Sequence, residues 1–306
     1  MRFPNNKRFA FSILDDTDDS TLHNVKPMYD RLREYGFQTT KTVWPFDCPE
    51  GSKLFFAAQS LQDKAYLDFV HELVDHGFEL AFHGATMESS CRERTLRGLE
   101  LLKREFGRYP RVFCNHGHNR ENLYWGYKRF QTRVLRGLVR MLRRGPPESY
   151  AGEVEGSEYF WGDACKQHIK FVRGFTFRQL NMLKVNPEMP YHLAETRYVN
   201  NWFSTADAPD VHAFNRLLSY ERIDELEEEG GVCIVSTHLG KGFANEGKVN
   251  PQTENILRYL VAKAGWYVPV SDILDYLLRG RTNSTMGTFK RVRLELTFVM
   301  DKVQGL

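Results

Sequence analysis

Short apolar runs alternate with amphipathic stretches along most of the 306 residues, and no other feature constrains the fold as much. RFAFSIL (8–14) reads as a buried strand. A helix follows over 21–35, where Leu22, Val25, Met28, Tyr29 and Leu32 recur at helical spacing and Gly36 supplies the stop. QTTKTVW (38–44), rich in β-branched residues, predicts a second strand. The cycle repeats as a helix over 61–77, a strand over 78–84, a helix over 91–107 ending at Gly107, and the strand RVFCN (111–115). A basic amphipathic helix is predicted over 127–144, stopped by Gly145-Pro146-Pro147, and extended segments over 169–177 and 196–204. Regular units return with a helix over 221–231, the strand VCIVSTH (232–238), a helix over 252–264, the strand WYVPV (266–270) and a helix over 271–280. The alternating tail FKRVRLELTFVM (289–300) reads as an edge strand.

Repeated β-then-α units mean parallel strands joined by helical crossovers, in either a closed barrel or an open doubly wound sheet. No GxGxxG or GxxxxGK[ST] loop follows any strand, which weighs against a nucleotide-binding open sheet. No internal repeat or low-complexity segment interrupts the pattern. A chain of this length admits two domains, but single α/β barrels of the same size are common. The five cysteines, Cys48, Cys91, Cys114, Cys165 and Cys233, are scattered without CxxC spacing and argue against a disulfide framework or a cysteine zinc site. A formal charge of +3 with pI near 8.5 suits anionic small molecules and gives little support to a nucleic-acid partner. No segment approaches the roughly 18 apolar residues of a membrane span, and the run 9–14 is too short for a signal peptide, so a cytoplasmic location is expected.

Polar residues fall where such folds place their chemistry, at the carboxyl ends of strands. The first strand ends in Asp15-Asp16, that over 78–82 in His83, that over 111–115 in Asn115-His116, and that over 232–237 in His238. Asp18, Asp19 and Ser20 sit just before the first helix and are assigned to its cap, leaving Asp15 and Asp16 for chemistry. Adjacent carboxylates on extended backbone point in different directions, so one can hold a metal while the other handles a proton.

With these residues in place, ILDDT resembles the first motif of the polysaccharide-deacetylase (NodB homology, carbohydrate esterase family 4-like) superfamily. HGFELAFHG resembles its second motif, IVSTH its last, and WYVPVSDILDYL its closing strand and helix; the likeness runs from about residue 8 to 280 and is faint over 145–220. The nearest likeness is to members from bacterial surface-polysaccharide biosynthesis. The resemblance implies a distorted (β/α)7 barrel, here one domain over residues 1–306, with Asp15 as general base, Asp16 and His83 as metal ligands and His238 assisting catalysis. It implies a metal-dependent hydrolase of a linear amide C–N bond, removing an acetyl or formyl group from an amino sugar or sugar precursor. A cytosolic enzyme would meet such a precursor nucleotide- or lipid-linked. Zn²⁺, or Mn²⁺, Co²⁺ or Fe²⁺, is the implied cofactor.

Two departures matter. The family places another histidine four residues after the first; here that position is Met87, a poor ligand for a hard ion. NHGHNRENLYWG (115–126) offers His116 as the replacement, with His118 in reserve, where the family has an arginine-containing motif. His118, Asn119, Tyr124, Trp125 and Asp163 are weaker candidates for substrate contact, and His71, His76, His168, His192 and His212 read as structural. The cations of 128–144 read as a solvated face or as attraction for an anionic carrier or membrane surface. A barrel that binds a glycan or partner protein without catalysis is the alternative function.

Overall fold

The computed structural model describes residues 2–49, 52, 58–142, 150–279, 281 and 284–303. Strand β1 (Phe9–Asp15) is buried along its whole length, as a strand apolar on both faces must be when helices cover a parallel sheet. Helix α1 (Leu22–Glu34) buries Val25, Met28, Tyr29 and Leu32 and leads to β2 (Thr40–Val43). Then come α2 (Lys64–Asp75), β3 (Glu79–Phe82), α3 (Arg92–Phe106) and β4 (Val112–Phe113). Gly107 ends α3 in the left-handed conformation that its sequence position suggested. The middle holds α4 (Arg133–Leu142), α5 (Gly162–His168), β5 (Phe171–Phe177), α6 (Met182–Val185), β6 (Asn201–Asp207) and α7 (Val211–Leu217). After α8 (Tyr220–Glu229) and β7 (Val232–Thr237) a small hairpin, β8 (Ala244–Asn245) and β9 (Lys248–Val249), precedes α9 (Pro251–Val261), β10 (Gly265–Tyr267), α10 (Val270–Leu278) and α11 (Thr288–Val303).

Strands β1 to β7 pair in chain order, all parallel, and β7 returns to β1 over six rungs from Ala10↔Val232 to Asp15↔Thr237. The result is a closed seven-stranded parallel barrel wrapped by helices, the (β/α)7 architecture. It is uneven. On the edge of β1 away from β7, the first half pairs with β10 and only Leu14 and Asp15 pair with β2. β3 and β4 share the single rung Phe82↔Phe113, and β5–β6 slips register between Arg173 and Thr176.

Three sequence readings are corrected. The tail 289–300 is helical, not an edge strand: Leu294, Phe298 and Asp301 recur at helical spacing, Phe298 packs on Phe175 of β5, and Glu295 accepts the backbone N–H groups of Gln131 and Thr132. The basic stretch 127–144 is a 3₁₀ turn (Gly126–Arg129) and then α4; Arg143, Arg144 and the Gly-Pro-Pro stop lie outside the described residues. The first helix is capped by Thr21, whose side chain accepts from Asn24 in a capping box, so Asp18, Asp19 and Ser20 do not serve as its cap. All five cysteines are free thiols. Among the described residues no helix is long and apolar enough to cross a membrane.

One buried ion pair ties the first two strands to α1. Asp15 and Lys41, opposite each other in the β1–β2 register, are both fully buried with Lys41 Nζ 2.8 Å from Asp15 Oδ2. The same oxygen accepts from Tyr29 Oη of α1 at 2.8 Å. Burial alone would depress the lysine pKa, but Asp15 and Tyr66 together outweigh it and Lys41 stays charged. Removing one partner of such a pair leaves an unpaired charge in the interior. Lys41→Met is therefore expected to lower unfolding free energy by about 3–5 kcal/mol, read from chemical denaturation, and an unchanged denaturation midpoint would refute that role.

Candidate active site

The turn 16–20 fixes where the acids of β1 point. Asp16 N–H donates to Thr237 O at 2.8 Å, Thr17 N–H to Thr42 Oγ1 at 2.8 Å, and Ser20 N–H to Thr17 O at 3.0 Å. Asp15 faces Lys41 and α1; its second oxygen accepts the Leu239 N–H at 2.8 Å, so both oxygens are engaged by the protein itself. Asp16 faces the opposite way. Its Oδ2 lies 2.6 Å from Arg173 Nη1 of β5, across the barrel, and its Oδ1 is buried without a hydrogen-bond partner. Burial opposes ionisation of Asp16, but Arg173, followed by His83 and His238, outweighs it and holds the carboxyl below its ordinary pKa.

Asp18, two residues on, returns to the same side. Its Oδ1 lies 3.5 Å from His83 Nε2 and 3.4 Å from His116 Nε2, and its Oδ2 3.4 Å from His238 Nε2. Burial is again overcome, here by His116, His238 and His83, and the carboxyl is held far below the ordinary aspartate range. One donor atom each from Asp18, His83 and His116 lie within 4.8 Å of one another, a group that could hold a metal ion. The chemistry of this set fits a divalent cation. Asp18 Oδ1 and His83 Nε2 are buried with no hydrogen-bond partner, a costly arrangement that a bound cation would relieve. His83 Nδ1 lies 2.9 Å from Cys114 O, and a carbonyl only accepts, so Nδ1 is the donor there and, in the neutral ring, Nε2 presents its lone pair.

The structure thus brings His83, His116 and His238 together with Asp16 and Asp18, while the oxygens of Asp15 are taken by Lys41, Tyr29 and the Leu239 N–H. Asp18, not Asp16, stands in the ligand cluster. His238 keeps its Nδ1 on Pro209 O at 2.7 Å; burial lowers its pKa, but Asp18 and Asp16 reverse the sign and raise it. An arginine does face the site, supplied by β5 rather than by the β4 loop. A charged residue inside the apolar run FVRGFTF was the available signal for Arg173. Met87 is buried. Trp44, at the end of β2, packs its ring 5.0 Å from that of His83 and 4.8 Å from that of His116.

His116 rides on a loop stitched to itself. Asn115 and Leu123 exchange side-chain and backbone hydrogen bonds, as do Asn122 and His116. Asn119 donates to Thr86 O, Glu88 O and Glu121 Oε1, which makes it a brace of the loop. His118 is exposed. Trp125 is half-buried and donates to Gly117 O at 2.9 Å. Asp163 lies outside this cluster, in a two-pronged ion pair with Arg92 of α3 at 2.6 and 2.7 Å.

Glu121 anchors the same loop, accepting from Ser90 N and Asn119 Nδ2 at 3.0 Å each. Burial pushes its pKa from 4.5 up to about 7. The folded protein therefore binds more protons than the unfolded chain between those values. The stability this group contributes is whole below pH 4.5 and lost as pH rises through about 7. Glu121→Gln is expected to remove roughly 3 kcal/mol of pH dependence across that window; thermal denaturation at pH 5 and 8 on both proteins checks it, and parallel profiles would contradict it.

No family model and no curated protein matches the chain in sequence. Solved structures do match. A protein assigned as a polysaccharide deacetylase from Mycobacterium smegmatis aligns over 94% of this chain and 96% of its own, with a TM-score of 0.53 at 12% identity. Peptidoglycan deacetylase PdaC from Bacillus subtilis aligns over 90% and 93%, with a TM-score of 0.44 at 11% identity. The chitin deacetylase of Colletotrichum lindemuthianum aligns over 88% of each chain, with a TM-score of 0.44 at 14% identity. At these identities the likeness concerns the fold, and the fold of this chain is the (β/α)7 barrel of the polysaccharide-deacetylase type.

Proposed function

We propose that the chain is a metal-dependent deacylase of the polysaccharide-deacetylase superfamily, acting as one barrel domain on an N-acylated amino sugar or sugar precursor, and that Asp18, His83 and His116 are the metal ligands. The observation that carries this reading is the convergence of unpartnered donors on Asp18, with a free oxygen of Asp16 on one side and His238 on the other. A divalent ion held there, zinc or another, would polarise the acyl carbonyl and lower the pKa of a bound water.

The remaining work falls to side chains. Asp16, ionised by Arg173 and with Oδ1 unpartnered, is the base that takes the proton of the attacking water. Arg173 keeps Asp16 charged and orients it. His238 carries a hydrogen on Nδ1, held by Pro209 O, and its raised pKa favours the form that can give the Nε2 proton to the departing amine. An amide nitrogen needs that proton before it can leave. Asp15, with both oxygens engaged, acts as structure in this mechanism.

The third donor that Met87 lacks is available from His116, which favours hydrolysis over a barrel that only binds glycans. Acetyl or formyl as the leaving acyl group, a nucleotide- or lipid-linked carrier, a cytoplasmic location and a place in surface-polysaccharide biosynthesis are the finer parts of the proposal, supported by the motif resemblance. Release of acetate or formate from N-acylated amino-sugar oligomers and monomers, followed by NMR with added divalent metal, tests it. Asp16→Asn and His238→Gln are each expected to lower kcat by roughly 10²–10⁴-fold with KM little changed. Turnover unaffected by both substitutions would sink the mechanism, and no acyl release from any such substrate would sink the deacylase reading itself.

A further inference from the structure

Arg129 is a cation without an anion. It follows the His116 loop in the 3₁₀ turn Gly126–Arg129, and its guanidinium carbon lies 3.8 Å above the ring of Trp125. Trp125 is itself tied to Gly117 O, the residue after His116, so this cation is moored to the ligand loop. Phe298 of α11 and Phe175 of β5 stand 5.5 and 5.8 Å from the same carbon. Aromatic packing of this kind occupies the faces of a guanidinium and leaves its in-plane N–H donors free.

Among the described residues those donors meet no acceptor: Arg129 makes no ion pair, and its Nε is buried with no hydrogen-bond partner. The acidic groups nearby are already committed. Asp207 is held by Lys302 at 2.8 Å, Asp16 by Arg173 at 2.6 Å, and Glu295 by the Gln131 and Thr132 N–H groups. Burial and the like charge of Arg173 push the Arg129 pKa down to about 9, so the folded protein holds this cation at a cost. The residue as a whole keeps partial exposure although its Nε is buried. A fork of donors stacked on an aromatic ring and left unpaired matches an oxyanion better than a neutral sugar hydroxyl.

We propose that Arg129, stacked on Trp125 beside the His116 loop, binds a phosphate or carboxylate of the substrate, so the acylated amino sugar carries an anionic group. This rests on the deacylase reading for the identity of the substrate, while the anion site itself stands on Arg129 alone.

The test is isothermal titration of the full chain with inorganic phosphate and, in a parallel arm, with acetate. Both are run in the wild type and in His83→Ala, where the proposed metal centre is disabled and cannot supply the anion site. Binding is expected in both proteins, and adding Arg129→Met to His83→Ala should weaken it by roughly tenfold or more. The anion bound more tightly names the substituent. Arg129→Gln, which keeps a long polar side chain, is expected to weaken binding comparably and decides the matter if Arg129→Met does not fold. Absence of anion binding in His83→Ala, or affinity unchanged in a folded Arg129 variant, overturns the proposal. Because no step of the assay requires turnover, its outcome is separate from that of the acyl-release experiment.

Discussion

Strand β1 is paired along both edges, with β7 on one side and with β10 and then β2 on the other, and is buried over all seven residues. So constrained, its carboxyl end cannot shift or rotate, and strand alternation decides where each following side chain goes. Asp15 faces Lys41 and α1, Asp16 faces Arg173 across the barrel, and Asp18 meets the three histidines. Three acids within four residues thereby occupy three different electrostatic settings. Displacing β1 by one residue would turn each of these side chains to the opposite face and part both aspartates from their present partners.

Much of this was legible in the residues. The period of apolar runs, the glycine stops and the polar strand ends point to a parallel α/β fold with its chemistry at the strand ends, the motif resemblance implies the barrel, and His83, His116 and His238 do meet at its mouth. Asp18 was misjudged for a physical reason. Its place before a helix suggests a cap, yet Thr21 with Asn24 satisfies the first turn of α1 and frees Asp18. Asp16 and Asp18 both lie in the turn 16–20 directly after β1, and the acid-rich run DDTDD was the available signal that more than one acid could reach the barrel mouth. Lys41 carried a second signal: a lysine inside a β-branched run needs a buried acid, and Asp15 is the nearest in register. Arg173 and the packing of α11 depend on contacts between residues more than a hundred positions apart, which no local pattern encodes.

Among the described residues, two of the buried acids at the end of β1 are matched by cations, while Asp18 and Arg129 are not. Asp15–Lys41 and Asp16–Arg173 each neutralise a buried charge, and such pairs are retained where removing either partner would be severe. Asp18 has histidines around it but no fixed cation, and Arg129 has aromatic rings around it but no anion. The two have opposite sign: Asp18 follows β1, and Arg129 follows the loop that carries His116. A metal ion and an anionic substituent of the substrate are the natural complements, which gives the acidic and the basic sides of the mouth distinct tasks.

The allocation of the β1 acids is the central claim, and metal content measured by mass spectrometry tests it most directly. Wild-type protein and Asp16→Asn are both expected to retain stoichiometric divalent metal, whereas Asp18→Asn should lose it while keeping its fold by circular dichroism. Metal retained by Asp18→Asn and lost from Asp16→Asn would contradict the account.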